Sequence, residues 1–236
     1  MGAAAVLWAA WTRREHQILA LKSDFVATVS HELRTPLASM RLMAETLERR
    51  LAGSDVARDY PQRLIREIDS LNFLVENILS FNRLEKGRWE PRVEDVRLSE
   101  IVRTLQQELS GATRACVKVQ LEGASDLVVR ADPELMKLLF LNLGTNACKY
   151  NDDDPVMICI QAEERDPIVI RMADNGIGIP DDQIEKVFSE FYRAEPGGRG
   201  FGLGLAICRR IMELHAGQIR VADSSTNGTV FELSFP

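Results

Sequence analysis

The run DPELMKLLFLNLGTNACKY, residues 132–150, decides how the second half of this chain is built. Asp132 can cap a helix, Pro133 fits the first helical position without losing a needed donor, and Glu134 complements the positive end of the dipole. At helical spacing one stripe reads Leu135, Leu139, Asn142, Asn146 and Lys149, so a face that starts apolar turns polar and then cationic. The adjacent stripe of Leu138, Leu141 and Cys148 stays apolar and can serve a core. A row of Asn, Asn and Lys beside a core costs stability unless something polar occupies it. Asparagine oxygens can hold Mg2+ without neutralising it, and a lysine one turn on can meet phosphate. The alternative is a polar helix end, with Lys149 set against the negative pole of the dipole.

Working outward, the pattern predicts a helix near residues 99–110, strands near 117–121 and 127–130, and, after the central helix, strands near 156–162 and 168–173. A glycine-rich region follows, then a helix near 203–215 and two strands near 218–222 and 230–235. Helices mixed with strands in this way imply an α/β sandwich with helices on one face of a mixed sheet.

The first half reads differently. Helical periodicity runs from about Trp11 to Leu51, breaks at Ala52-Gly53-Ser54-Asp55, and resumes from about Ala57 to Leu84. Val26, Val29, Leu33, Met40 and Leu47 are expected as a buried stripe, and Leu64, Ile68, Leu71, Val75 and Ile78 as a bundle seam. Two such helices form an antiparallel hairpin with one apolar side uncovered, and a second copy would complete a dimeric four-helix bundle. The fold class is therefore α plus α/β. His31 lies two residues from both Val29 and Leu33, about 200° around the helix, and so faces water. Glu32 stands beside it, Thr35 shares its outward face, and Pro36 bends the helix.

The chain has 236 residues, 45% hydrophobic and 27% charged, with a formal charge of −6. Its basic residues are spread out, which argues against nucleic acid as a partner. Cys116, Cys148, Cys159 and Cys208 contain no C-x-x-C pair and read as buried small hydrophobes. Residues 3–11 are apolar, with Trp8 and Trp11 followed by Arg13 and Arg14. Nine residues are too few for a bilayer, which takes about 20, but the order matches the cytoplasmic end of a membrane helix. A soluble helix start is the alternative.

Asp174-Asn175-Gly176-Ile177-Gly178-Ile179-Pro180 follows a strand. Its glycines let the backbone approach a flat ligand, and Asp174 offers an acceptor for an exocyclic amine. Gly197-Gly198-Arg199-Gly200-Phe201-Gly202-Leu203-Gly204-Leu205 enters a helix and can point free N–H groups at an anion. It lacks the G-K-[ST] of a Walker A loop and the strand-first context of a dinucleotide fingerprint.

Taken in order, His-Glu-x-x-Thr-Pro, Asn-x-x-x-Asn-x-x-Lys-Tyr, Asp-x-Gly-x-Gly, Phe-x-x-Phe-Tyr-Arg and Gly-x-Gly-x-Gly closely resemble the transmitter core of bacterial two-component sensor histidine kinases. The resemblance runs from about Leu21 to the C-terminus. It implies a dimerisation and phosphotransfer hairpin over residues 21–88 and a Bergerat-type ATP-binding domain over 92–236, with residues 1–20 as the end of a membrane anchor or signalling helix. It makes His31 the phosphorylated nucleophile, Glu32 its activating acid, and Thr35 the residue that positions water to dephosphorylate a partner. Asn142 and Asn146 match the asparagine motif, with Asn146 the Mg2+ ligand. Lys149 and Tyr150 would line the nucleotide, Asp174 would read the adenine amine, and Gly176, Gly178 and Ile179 would shape the pocket. Phe188, Phe191 and Tyr192 would pack, and Arg193 would contact phosphate. Gly200, Phe201, Gly202, Leu203, Gly204 and Leu205 would form the hinge and phosphate end of a lid.

The implied cofactors are ATP and Mg2+. The implied partners are a second copy of the chain and the receiver domain of a response regulator, at the cytoplasmic side of the plasma membrane. Phe201 stands where a small or hydroxyl residue is common, and Ala216 follows His215 where glycine is frequent. His215 is expected to be structural and His16 solvated. Other Bergerat ATPase modules, or a dimeric scaffold that only senses nucleotide, would share the nucleotide motifs but leave His31-Glu32 unused.

Overall fold

In the computed structural model, the described residues are 37–38, 40–47, 49, 59–112, 117–123, 126–152, 154–190, 192 and 202–236. The chain divides into two compact units, with the boundary between Arg83 and Leu84.

In the first unit, residues 40–47 are helical (α1) and α2 spans Asp59–Glu85, running across the unit boundary. Leu37, Ile68 and Val75 pack together, with Leu79 against them, and Ala44 is buried. Arg41 pairs with Glu45 on its own helix and with Asp69 on α2, tying the two helices together. The expected seam is in fact two stripes. Ile68 and Val75 face inward, whereas Leu64 and Leu71 are 44% and 45% exposed. A three- or four-residue offset turns about 40–60° around a helix, which is enough to move a side chain from one contact to the next. The buried-stripe expectation is corrected in the same way: Met40 and Leu47 are exposed in the single chain, whereas Leu37 and Ala44 are buried, Leu37 in the seam. Val26, Val29, Leu33, His31, Glu32 and Thr35 lie outside the described residues, as does the 3–11 run. Among the described residues, no helix is long and apolar enough to cross a membrane.

The second unit is a layer of helices on a mixed sheet. Its elements are β1 (Glu94–Arg97), α3 (Leu98–Ala112), β2 (Val117–Gly123), β3 (Val128–Ala131), α4 (Pro133–Lys149), β4 (Val156–Glu163), β5 (Ile168–Asp174), α5 (Gly204–Leu214), β6 (Gln218–Ser225) and β7 (Gly228–Phe235). The five-stranded sheet has the order β2-β4-β5-β7-β6; β2 and β4 are parallel and the other neighbours antiparallel. Alternate residues of β4 (Val156, Ile158, Ile160, Ala162) are buried on the face covered by α4, while α3 packs on β2 and α5 on β6. Each fully buried Leu or Ile contributes about 1.5–3 kcal/mol. Gly144 brings α4 close to α3, since a Cβ there would stand 2.8 Å from Leu105 Cδ1.

On the opposite face a charge ladder crosses the strands. Glu232 accepts from Arg171 Nε at 2.8 Å and Arg220 Nε at 2.9 Å, and Arg171 also reaches Glu163. Burial raises the Glu232 pKa, but the hydrogen bonds from Arg220 and Arg171 outweigh it and hold the carboxyl below its ordinary value.

The small antiparallel pair of β1 with β3 was not expected; β1 lies between the helical pattern ending near Leu84 and the one starting near residue 99, where no strand was read. The strand expected at 127–130 is shifted by one residue, and two short 3-10 turns, Asp181–Gln183 and Lys186–Phe188, follow β5. Of the cysteines, Cys208 is buried as expected, whereas Cys148 and Cys159 are only half-buried.

Candidate functional site

The two ends of α4 differ. At its start Asp132 Oδ1 accepts from Glu134 N at 2.9 Å and Leu135 N at 3.1 Å, while Oδ2 accepts from Trp89 Nε1 at 3.2 Å and Arg92 N at 3.0 Å. The Asp132 N–H donates to His215 Nε2 at 2.9 Å, and His215 Nδ1 lies 2.8 Å from Ile211 O. The ring therefore carries its proton on Nδ1, bonded to the end of α5, and joins α5 to the start of α4. His215 is buried and structural, as its sequence position suggested.

At its other end α4 is polar and meets the loop after β5. Asp174 Oδ1 accepts from Gly176 N at 2.8 Å and Thr229 N at 3.2 Å, and Oδ2 has no partner among the described residues. Burial raises the Asp174 pKa, partly offset by those two backbone donors. Cys148 sits close enough to feel this charge; burial first, and Asp174 second, push its thiol up to about 11. Ile177 N donates to Tyr150 O at 3.0 Å, and a Cβ on Gly176 would overlap that same carbonyl. Gly178 adopts φ +78, and a side chain there would collide with the Ser225 carbonyl. Ile179 N donates to Ser224 Oγ at 2.7 Å, so the loop is bound on one side to α4 and on the other to β6.

The polar stripe divides by role. Asn142 is buried, and its Nδ2 donates to Leu138 O at 2.9 Å. A Cβ on Gly204 would stand 2.8 Å from Asn142 Oδ1, so this asparagine packs against the first residue of α5. Asn146 is half-buried, and its side-chain amide makes no hydrogen bond among the described residues. Lys149 Nζ donates to Tyr150 OH at 2.6 Å and lies 4.3 Å from the ring centroid. Among the described residues no side chain caps the start of α5 at Leu203, so the N–H groups of its first turn have no partner there. Gly202 adopts φ +69 just before it, Leu205 is half-buried, and the Leu203 side chain is in the core. Leu203 can therefore offer a ligand only its backbone. Phe188 packs edge-to-face on Phe231 with centroids 6.4 Å apart. Arg193, Gly200 and Phe201 lie outside the described residues.

Sequence reasoning missed Thr229, whose N–H anchors Asp174; Gly228, where a side chain would collide with the Asp174 carbonyl; and Asn175. The Asn227-Gly228 pair was an available turn signal for the first two.

Comparison with known proteins agrees with this geometry. Residues 21–87 match the family "His Kinase A (phospho-acceptor) domain", and residues 131–236 match "Histidine kinase-, DNA gyrase B-, and HSP90-like ATPase". The chain is 32% identical over 222 residues to the sensor-like histidine kinase SenX3 of Mycobacterium tuberculosis, covering 92% of this chain and 54% of that protein. It is 31% identical over 228 residues to the circadian input-output histidine kinase CikA of Synechococcus elongatus, covering 92% of this chain and 30% of that one. The chain thus spans about half or less of these relatives' length. A crystal structure of full-length ShkA in complex with AMPPNP superposes with a TM-score of 0.66 at 26% identity, over 90% of this chain and 45% of that one. The catalytic domain of histidine kinase ThkA gives a TM-score of 0.52 at 28% identity, over 61% and 95%. A phospho-acceptor segment followed by this ATPase fold, with the carboxylate, asparagine stripe and open helix start in one unit, makes the chain a member of the sensor histidine kinase family and identifies it as a transmitter core.

Proposed function

We propose that the chain binds ATP, phosphorylates its own His31, and passes the phosphoryl group to an aspartate on the receiver domain of a response regulator. One observation carries the nucleotide half. Asp174 is fixed through Oδ1 by two backbone donors and holds Oδ2 open beside the end of α4. Adenine presents an amine where guanine presents a carbonyl, and an open carboxylate oxygen accepts from the first and repels the second. The uncapped start of α5 supplies N–H donors for the phosphates, and Lys149 adds a cation. The AMPPNP bound to ShkA supports the same reading.

Asn146 fits a metal ligand, since its half-buried amide has no hydrogen bond among the described residues, while Asn142 is engaged with Leu138 and Gly204. Mg2+ held there would neutralise phosphate charge.

In the transfer, a ring nitrogen of neutral His31 attacks the γ-phosphorus, the bond to the β–γ bridging oxygen breaks, and ADP leaves with that electron pair. Glu32 holds the proton on the other ring nitrogen and stabilises the charge that forms. Thr35 orients water for the reverse duty, hydrolysis of the regulator's phospho-aspartate. Residues 21–88 act as the dimerising phosphoacceptor and 92–236 as the ATP-binding domain. Exposed Met40, Leu42, Met43, Leu47, Leu64 and Leu71 support covering by a second copy. The 3–11 run, with its Trp and Arg flank, supports anchoring at the membrane.

Incubation with γ-labelled ATP tests the proposal. The expected result is acid-labile label on the parent chain and none on His31→Gln, with AMPPNP binding retained. Acid-labile label persisting on His31→Gln would contradict it, and acid-stable label alone would favour another Bergerat ATPase.

A further inference from the structure

Asn175 follows the adenine-reading carboxylate, yet its side chain serves the connector between α4 and β4. Its Oδ1 accepts from Asn151 Nδ2 at 2.6 Å and from Met157 N at 2.7 Å, and its Nδ2 donates to Pro155 O at 3.2 Å. The β4–β5 ladder ends at the Ile158–Asp174 pair. Met157 N is the next donor along β4, and it bonds to a side chain instead of a strand. The Asn175 amide thus extends the sheet one step beyond its backbone, which leaves residues 175–178 free to turn toward Tyr150 and Ser224. Asp174 and Asn175 are consecutive residues at a strand end, so one addresses the site while the other anchors the strand.

We propose that Asn175 is a positioning residue that sets the preference for adenine over guanine by fixing the direction of Asp174 Oδ2. This rests on the ATP reading above. A carboxylate held still repels a guanine carbonyl; one whose strand end has come loose can turn aside, and the discrimination is lost. The bonds converge on the connector that follows Lys149 and Tyr150, so they also hold α4's end against the loop. Asn175 touches no reacting atom in this account.

The test compares calorimetric affinities for AMPPNP and GMPPNP in the parent chain and in Asn175→Ala, with thermal melting as the check on folding. A parent that does not prefer AMPPNP would overturn the ATP reading itself, before Asn175 is at issue. Given that preference, Asn175→Ala is expected to lose about tenfold in AMPPNP affinity with less than about threefold change for GMPPNP, the size of one buried hydrogen-bond defect. Faster hydrogen exchange at the Met157 amide should accompany it. A folded variant that keeps the parent's ratio, or loses both affinities equally, would overturn the proposal, because a merely structural role moves both together. Should Asn175→Ala not fold, Asn175→Ser removes the same reach with less disturbance and carries the same expectations.

Discussion

Two aspartates stand at opposite ends of α4, and their carboxylates are used in opposite ways. Asp132 accepts four hydrogen bonds, two on each oxygen, and is almost fully buried. Asp174 accepts two, both on Oδ1. Burial opposes the charged form of each. At Asp132 the donors, Arg92 N and Leu135 N foremost, outweigh burial and the pKa falls; at Asp174 burial wins and the pKa rises. The filled carboxylate holds the fold together, whereas the half-filled one is where the proposed nucleotide would be read.

The largest break is expected at the open end. Gly228→Ala would put a methyl group onto the Asp174 carbonyl at φ +132, so the β7 start must move and carry the Thr229 N–H with it. Stability should fall by about 3 kcal/mol or more in denaturant titration, with AMPPNP binding lost. Retained binding would show that Asp174 does not depend on this anchor. At the closed end, Asp132→Ala removes the α4 cap and the Trp89 contact, and should cost about 2 kcal/mol. Among molecules that remain folded, AMPPNP affinity should stay within about threefold of the parent. A larger loss would show that the cap shapes the site.

The same contrast predicts opposite pH behaviour. The lowered Asp132 pKa contributes stability above the ordinary 3.8, which is lost as pH falls through the folded value. The raised Asp174 pKa contributes stability below 3.8, which is lost as pH rises through its folded value. Denaturation of Asp132→Asn should therefore show its deficit at neutral pH and a shrinking one toward pH 3. Asp174→Asn should gain relative to the parent as pH rises above about 4. Identical profiles for the two variants would remove the contrast.

The smallest effect is expected beside His215. Gly217 N bonds Met212 O and Ala216 N bonds Glu213 O, the pattern of a Schellman helix end, with Ala216 at φ +52 in the position that suits glycine. Ala216→Gly should raise stability by about 0.5–1 kcal/mol without changing nucleotide affinity. A lower melting temperature would show that the alanine methyl has a packing role.

These effects mark what could be read in advance. Helix α4 was legible because its cap, proline and stripe are local to residues 132–150. The Asp174 motif was legible as a residue type, but which oxygen stays open depends on Thr229, 55 positions away. Strand β1 was not legible: Glu94-Asp95-Val96-Arg97 has one buried apolar residue and becomes a strand only by pairing with β3. Asp132 could be read as a cap, but its bonds to Trp89 and His215 span 43 and 83 positions. In the hairpin, apolar spacing identified the helices but not which stripe faces the partner helix. Met40 and Leu37 are both apolar and differ only by a turn.

The most direct test of the half-filled carboxylate is calorimetric titration of AMPPNP with Mg2+ into the parent chain and Asp174→Asn. Two backbone donors require an acceptor at the Oδ1 position, so the substituted amide must place its NH2 at the Oδ2 position, donor against the adenine amine. The account predicts binding to the parent and a loss of about 1–3 kcal/mol in the variant at unchanged folding. Equal affinity in the two would contradict it.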